Sequence, residues 1–180
     1  MSDVPDSLHT QALLVRLARL RVPLGFAVGV FGIWLARPTW HSLAVGSAVA
    51  VAGEAIRIWA AGHLERGRGI TTSGPYRWTR HPLYVGSAIM GVGVAVTSAR
   101  WLVALLAGVY LVVTFTAAVR IEEAALRATF RDEHEAYHGG RARGSDRRFS
   151  MARALANREL RAVLGLLAVM LLLAVKVWAA

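Results

Sequence analysis

In 180 residues the chain combines 56% hydrophobic residues and a mean hydropathy of +0.46 with a formal net charge of +10. A soluble nucleic-acid binder of that charge would gather its basic residues along one face to neutralise phosphates. Here they are all Arg except Lys176 and stand between long apolar runs, the pattern of a membrane protein with no nucleic-acid partner. Cys is absent, which excludes disulfides, a thiolate nucleophile and a Cys-ligated metal.

The chain begins MSDVPDSLHTQALLVRLARLRVP, with an acidic tip and no small-residue cleavage pattern after its first apolar stretch, so a cleaved signal peptide is not expected. A hydrocarbon core about 30 Å thick needs roughly 20 apolar residues in a helix. Five segments qualify as spans, over about residues 20–36, 42–61, 82–98, 101–120 and 160–178. The expected fold is an all-α, polytopic membrane bundle forming a single domain over 1–180, with polar segments at 62–81 and 121–159.

Cytoplasmic loops collect Lys and Arg. Arg16, Arg19 and Arg21 precede the first span, Arg66, Arg68, Arg77 and Arg80 follow the second, and a long arginine-rich run from Arg127 to Arg161 follows the fourth; the opposite connections hold Arg37 and Arg100. That alternation predicts a cytoplasmic N-terminus, an external C-terminus and both long polar segments on one side of what is expected to be a bacterial inner membrane. Small residues recur at packing intervals, with Gly25 and Gly29 in the first span, Gly46 and Ala50 in the second, and Ser87 and Gly91 in the third. Gly91-Val92-Gly93 lies inside a span, where close packing explains it better than a cofactor loop does.

The second span carries Glu54 and Arg57, three residues apart and so on one helix face. Ionisable groups at that depth face the protein interior and mark a functional site or a structural pair that fixes helix rotation. After it comes TTSGPYRWTRHPLYVG, Thr71 to Gly86. Gly74-Pro75 marks a turn and His81-Pro82 a helix start, because Pro is favoured at the first helical position. The free N–H groups there, with Arg77, Arg80 and His81 alongside, suit a carboxylate or phosphate. Tyr76, Trp78, Tyr84 and the arginines also suit interfacial anchoring.

Arg120 to Tyr137 reads as the fourth helix continuing beyond the membrane, with Ala124, Ala125, Leu126 and Phe130 on an apolar face and Gly139-Gly140 as its stop. Glu122 and Glu123 stand where it emerges. Neighbouring side chains on a helix diverge by about 100°, so one is expected to face inward, toward a ribose diol or an ammonium, and the other to be solvated. RARGSDRR beyond the stop reads as a basic surface segment attracted to anionic headgroups. Metal-ligand spacing, a Ser/His/Asp order and a phosphate loop are all missing from the sequence.

GPYRWTRHPLYVG followed by RIEEAALRATFRDEHEAY, with GEAIRIWAAGHL upstream, resembles the isoprenylcysteine carboxyl methyltransferase family and its phospholipid methyltransferase relatives across about Gly53 to Tyr137. The resemblance implies a helical membrane enzyme that binds S-adenosylmethionine at the cytoplasmic side and methylates a lipophilic acceptor entering from the bilayer, a prenylcysteine-like carboxylate or another lipid headgroup. It places Tyr76, Arg80, His81, Pro82, Tyr84, Gly86, Glu122, Glu123 and Tyr137 at the cofactor. Glu54, Arg57 and Arg77 become candidate catalytic residues, Arg57 or Arg77 orienting an anionic acceptor while Glu54 holds the arginine. Arg131 and His134 stand where the family commonly has Gly and Tyr, and GGRARGSDRR replaces a Val-Pro-Arg-like end. Two other readings compete. An NADPH-dependent sterol or steroid reductase carries a related RHPNYxG-like segment, but Leu83 takes its Asn position. A non-catalytic lipid-binding protein could use the basic loops alone.

Overall fold

The computed structural model describes residues 20, 23–65, 71–129 and 148–180. Six α-helices occur among these residues: α1 (Pro23–Leu35), α2 (Trp40–His63), α3 (Pro82–Ser98), α4 (Trp101–Thr129), α5 (Met151–Ala156) and α6 (Glu159–Trp178), with a 3-10 turn at Gly74–Arg77 between α2 and α3. No strand forms among the described residues. The protein is a helical membrane bundle. Three stretches are long and apolar enough to cross a bilayer alone: Trp40–His63, Trp101–Ala124 and Glu159–Trp178. The other two expected spans are shorter, Pro23–Leu35 and Pro82–Ser98. At 1.5 Å per residue α3 reaches about 25 Å, just under the hydrocarbon thickness.

Outward-facing apolar side chains are what lipid contact requires. Phe26, Val30 and Trp34 on α1, Val112 on α4 and Leu164, Leu167 and Leu171 on α6 are all exposed. The buried core consists mainly of small residues, among them Ala36, Ala50, Ala60, Ala61 and Ala117, as expected where helices associate by close backbone approach.

The α2–α3 pair is the tightest contact. A Cβ on Gly53 would meet the Gly86 carbonyl oxygen at 2.6 Å and one on Gly93 would meet that of Gly46 at 2.6 Å. As one index rises by seven the other falls by seven, the register of antiparallel helices. Of the expected small-residue pairs, Gly46 and Ala50 lie in this contact. Gly91 instead faces Leu111 of α4, Ser87 turns toward Arg57, Gly25 lies against Tyr110, and Gly29 has open space beside it.

Helix ends are closed by neighbours. Thr39 and Ser42 form a reciprocal capping box at the start of α2. The last carbonyls of α2 accept from the α5 region: Gly62 O from Arg153 Nε at 2.9 Å and Ser150 N at 3.1 Å, and Ala61 O and Leu64 O from Asn157 Nδ2, each at 2.9 Å. α3 ends at Ala99, in the left-handed region at φ 50°. Its Thr97 and Ser98 carbonyls accept from Ser42 Oγ and Arg37 N. At the same end of the bundle Lys176 Nζ donates to Ile33 O and Trp34 O, at 2.8 and 2.7 Å, tying α6 to the last turn of α1.

α4 has 29 residues, about 43 Å of helix, longer than a hydrocarbon core is thick, with Glu122 and Glu123 toward its far end. The expected continuation to Tyr137, the Gly139-Gly140 stop and residues 141–147 lie outside the described residues.

Candidate active site

A cavity of about 1320 Å³ runs between α1, α3, α4 and α6. Its polar end is lined by Thr71, Tyr76, Arg80, His81, Glu122 and Glu123; its length is apolar, passing Met90, Phe115 and Leu166. Charged groups at one end of a lipid-facing slot are arranged to hold an amphiphile.

Pro82 at the first position of α3 makes the polar end, because it forces the preceding residue out of the helix. His81 is therefore the N-cap, at φ −127° and ψ 57°. Its ring lies between the two carboxylates of α4, with Nδ1 4.0 Å from Glu122 Oε2 and Nε2 3.5 Å from Glu123 Oε1. Glu123 is the more sheltered, at 30% side-chain exposure against 49% for Glu122. Both line the cavity, although only one was expected to turn inward. From His81 an aromatic series leads toward the bundle: its ring centroid lies 5.8 Å from that of Tyr84, which lies 5.0 Å from that of Phe115.

Deeper in the cavity wall, Arg57 is held on three sides. Its Nε lies 3.3 Å from Glu54 Oε2, its Nη1 donates to Ser87 Oγ, and its Nη2 donates to both oxygens of Glu159, at 2.9 and 3.2 Å. Ser87 is itself fixed by donating to Leu83 O at 2.8 Å. Glu54 and Glu159 are buried, and neither Glu54 oxygen accepts a hydrogen bond among the described residues. Nη1 and Nη2 thus donate to protein acceptors, while Nε stands at ion-pair distance from Glu54 without a hydrogen bond among the described residues.

Of the residues expected at the site, Arg57, Tyr76, Arg80, His81, Pro82, Tyr84, Glu122 and Glu123 line one cavity. Glu54 supports Arg57 from behind, and Gly86 is buried in the α2–α3 contact, where a Cβ would meet Arg57 Cγ at 2.8 Å. Arg77 is exposed and is not among the lining residues. Tyr137 lies outside the described residues. Three residues that sequence reasoning did not assign to the site join it: Ser87, Glu159 and Thr71, whose buried Oγ1 makes no hydrogen bond among the described residues. No group of three or more His, Cys, Asp or Glu fit to hold a metal occurs among the described residues.

The residues at the polar end fit S-adenosylmethionine. Among the described residues the buried Thr71 Oγ1 makes no hydrogen bond and His81 Nε2 meets only Glu123 at ion-pair distance, so both can take up hydrogen bonds; Arg80 suits a carboxylate, Glu122 and Glu123 suit a ribose diol or an ammonium, and the Tyr84 and Phe115 rings suit a sulfonium. Fold and site together define a polytopic helical membrane protein with a ligand cavity running from its polar end into the apolar bundle. The chain belongs to the phospholipid methyltransferase family, whose model matches residues 20–133. The match supports a membrane methyltransferase with lipid substrates. The match covers α1 to α3 and the described part of α4, and α6 lies beyond it. Neither the curated proteins nor the solved structures contain a match to this chain.

Proposed function

We propose that this protein transfers a methyl group from S-adenosylmethionine to the headgroup of a lipophilic acceptor that enters from the bilayer. The observation that carries this reading is the continuity of the cavity. One space joins the His81, Glu122 and Glu123 end to an apolar slot between α1, α4 and α6 that can take a lipid chain. When bound, the cofactor supplies an electrophilic methyl group on a sulfonium.

The protein's contribution is then placement and dryness. Holding both reactants in contact and excluding water can supply about 7–11 kcal/mol of a bimolecular barrier. In this reading His81, Arg80, Tyr76, Thr71, Glu122 and Glu123 would hold the cofactor, a role the family resemblance gives to Tyr137 as well. Pro82 and Gly86 set the backbone, the Tyr84 ring would offer its face to the sulfonium, and the Glu54–Arg57 pair would shape the acceptor end. Arg77, exposed beside Trp78, anchors the turn in the headgroup layer. The arginine distribution supports a cytoplasmic position for this end and for the N-terminus, in what this reading takes to be a bacterial inner membrane.

The experiment is incubation of purified protein with methyl-labelled S-adenosylmethionine and a membrane lipid extract, followed by mass spectrometry of the organic phase. Label appearing in a lipid is expected. A folded protein that labels no lipid in extracts of its own source membrane would overturn the reading.

A further inference from the structure

The segment that leads into α6 turns its polar side chains inward and its apolar ones outward. On α5 the exposed residues are Met151, Ala152, Leu155 and Ala156, which share one helix face. Met151 and Leu155 are 55% and 53% exposed, and Phe149 just before the helix and Leu160 just after it are exposed too. The polar groups of the same stretch face α2. Arg153 Nε and Ser150 N donate to Gly62 O, and Asn157 Nδ2 donates to Ala61 O and Leu64 O. Arg153 Nη1 lies 3.3 Å from Glu65 Oε1, and Nη2 donates to Arg148 O.

A surface helix in water takes the opposite arrangement, with its apolar side against the protein. Helix-end carbonyls that face water can be solvated, whereas at membrane depth they must be satisfied inside the protein. Here three carbonyls at the end of α2, those of Ala61, Gly62 and Leu64, are closed by this one segment. The Phe149 ring lies over Gly62, where a Cβ would collide with it, and its centroid is 6.0 Å from that of His63. The segment is thus held to α2 by its polar side while its apolar side is left uncovered.

Two features show what covers that side. It continues through Leu160 into Leu164 and Leu167, on the lipid-facing surface of α6. It is also bordered by the exposed Arg148, Arg158 and Arg161, whose stems can lie on apolar surface while their guanidiniums reach phosphate. At the same end of α2 the exposed Trp78 packs against Trp59, ring centroids 5.5 Å apart, and indole rings of this kind sit at headgroup depth.

We propose that α5 is an in-plane membrane helix. Its Met151 and Leu155 face is seated in the acyl region of the leaflet at the polar end of the cavity, and its bordering arginines lie on that leaflet's phosphates. Residues 149–156 then leave the polar segment expected over 121–159, and the corner of the cavity lined by Asn157 and Arg158 comes to the headgroup layer. The inference is independent of the methyltransferase reading.

The chain has no Cys, so single cysteines report without background. Met151→Cys, Ala152→Cys and Leu155→Cys are each spin-labelled in the full-length protein and reconstituted in vesicles of phosphatidylcholine and phosphatidylglycerol. Power saturation then reads their accessibility to oxygen, which partitions into acyl chains, and to a water-soluble nickel chelate. Leu167→Cys and Arg77→Cys are the deep and shallow references, both on exposed residues. All three labels are expected to favour oxygen over nickel and to lie about 5–10 Å into the headgroup and acyl boundary, deeper than the label at position 77. Labels as open to nickel as that one would overturn the inference. So would labels shielded from both agents, which a protein cover would produce, with dipolar broadening if the cover is a second copy. A measurement without a label on this face uses Leu155→Asn, which should speed amide exchange over residues 151–156 in the same vesicles at least about fivefold and leave α3 unchanged. Unchanged exchange there would also overturn the inference.

Discussion

Replacing Arg57 with Met removes the guanidinium and keeps most of the side-chain volume. It would leave Glu54 and Glu159, 5% and 6% exposed, facing each other with no cation between them. It would also strip Ser87 Oγ of a donor and Glu159 of two hydrogen bonds. Removing one partner of a buried ion pair costs about 3–5 kcal/mol, because the remaining charge stays desolvated. At about 2–4 °C per kcal/mol for a chain of this length, the melting temperature in detergent should fall by roughly 6–20 °C. The diagnostic step is the second mutation. Adding Glu159→Gln to Arg57→Met removes one of the stranded charges and should recover part of the loss, although Glu159→Gln alone destabilises. Differential scanning fluorimetry on the four proteins gives the double-mutant cycle. Additive losses would refute the claim that these side chains form one ion cluster.

Glycine substitutions should divide by what a Cβ would meet. Gly86→Ala would press on Gly53 O and Arg57 Cγ, at 2.7 and 2.8 Å, and should cost about 1–3 kcal/mol in the same melting assay. Gly108→Ala, on the exposed face of α4 with nothing within 4 Å, should be neutral or gain up to about 1 kcal/mol. Lys176→Met should free the last turn of α1, seen as faster amide exchange over residues 33–36, with α2 and α3 unaffected. Thr71→Val is nearly isosteric and should weaken S-adenosylhomocysteine binding about three- to tenfold, since the hydroxyl makes no hydrogen bond among the described residues and is free to serve the ligand.

The parts of this structure legible in sequence are those with a local cause. Pro82 fixes the start of α3 wherever the rest of the chain goes, and the i,i+3 spacing alone puts Glu54 beside Arg57. The apolar runs gave α2 and α6 nearly to their ends and the start of α4, and the described part of α1, Pro23–Leu35, lies inside the span expected there. Glu159 was illegible for the opposite reason. It opens an apolar run next to Arg158, where a charged residue normally meets headgroups, and its partner lies 102 residues away. Likewise Ser87 looked like one half of a helix-packing pair, because nothing in sequence shows which face of α3 meets α2. The register of the Gly46–Gly93 and Gly53–Gly86 contacts decides it.

The measurement that bears most directly on the account is calorimetric titration of S-adenosylhomocysteine into purified protein and its His81→Ala variant. His81 lies between Glu122 and Glu123 at the head of the cavity, so its removal should disarrange all three groups. The account predicts saturable binding to the wild type and a loss of affinity of at least about tenfold in a variant that still melts cooperatively. No binding by folded wild type, or equal binding by both proteins, would contradict it.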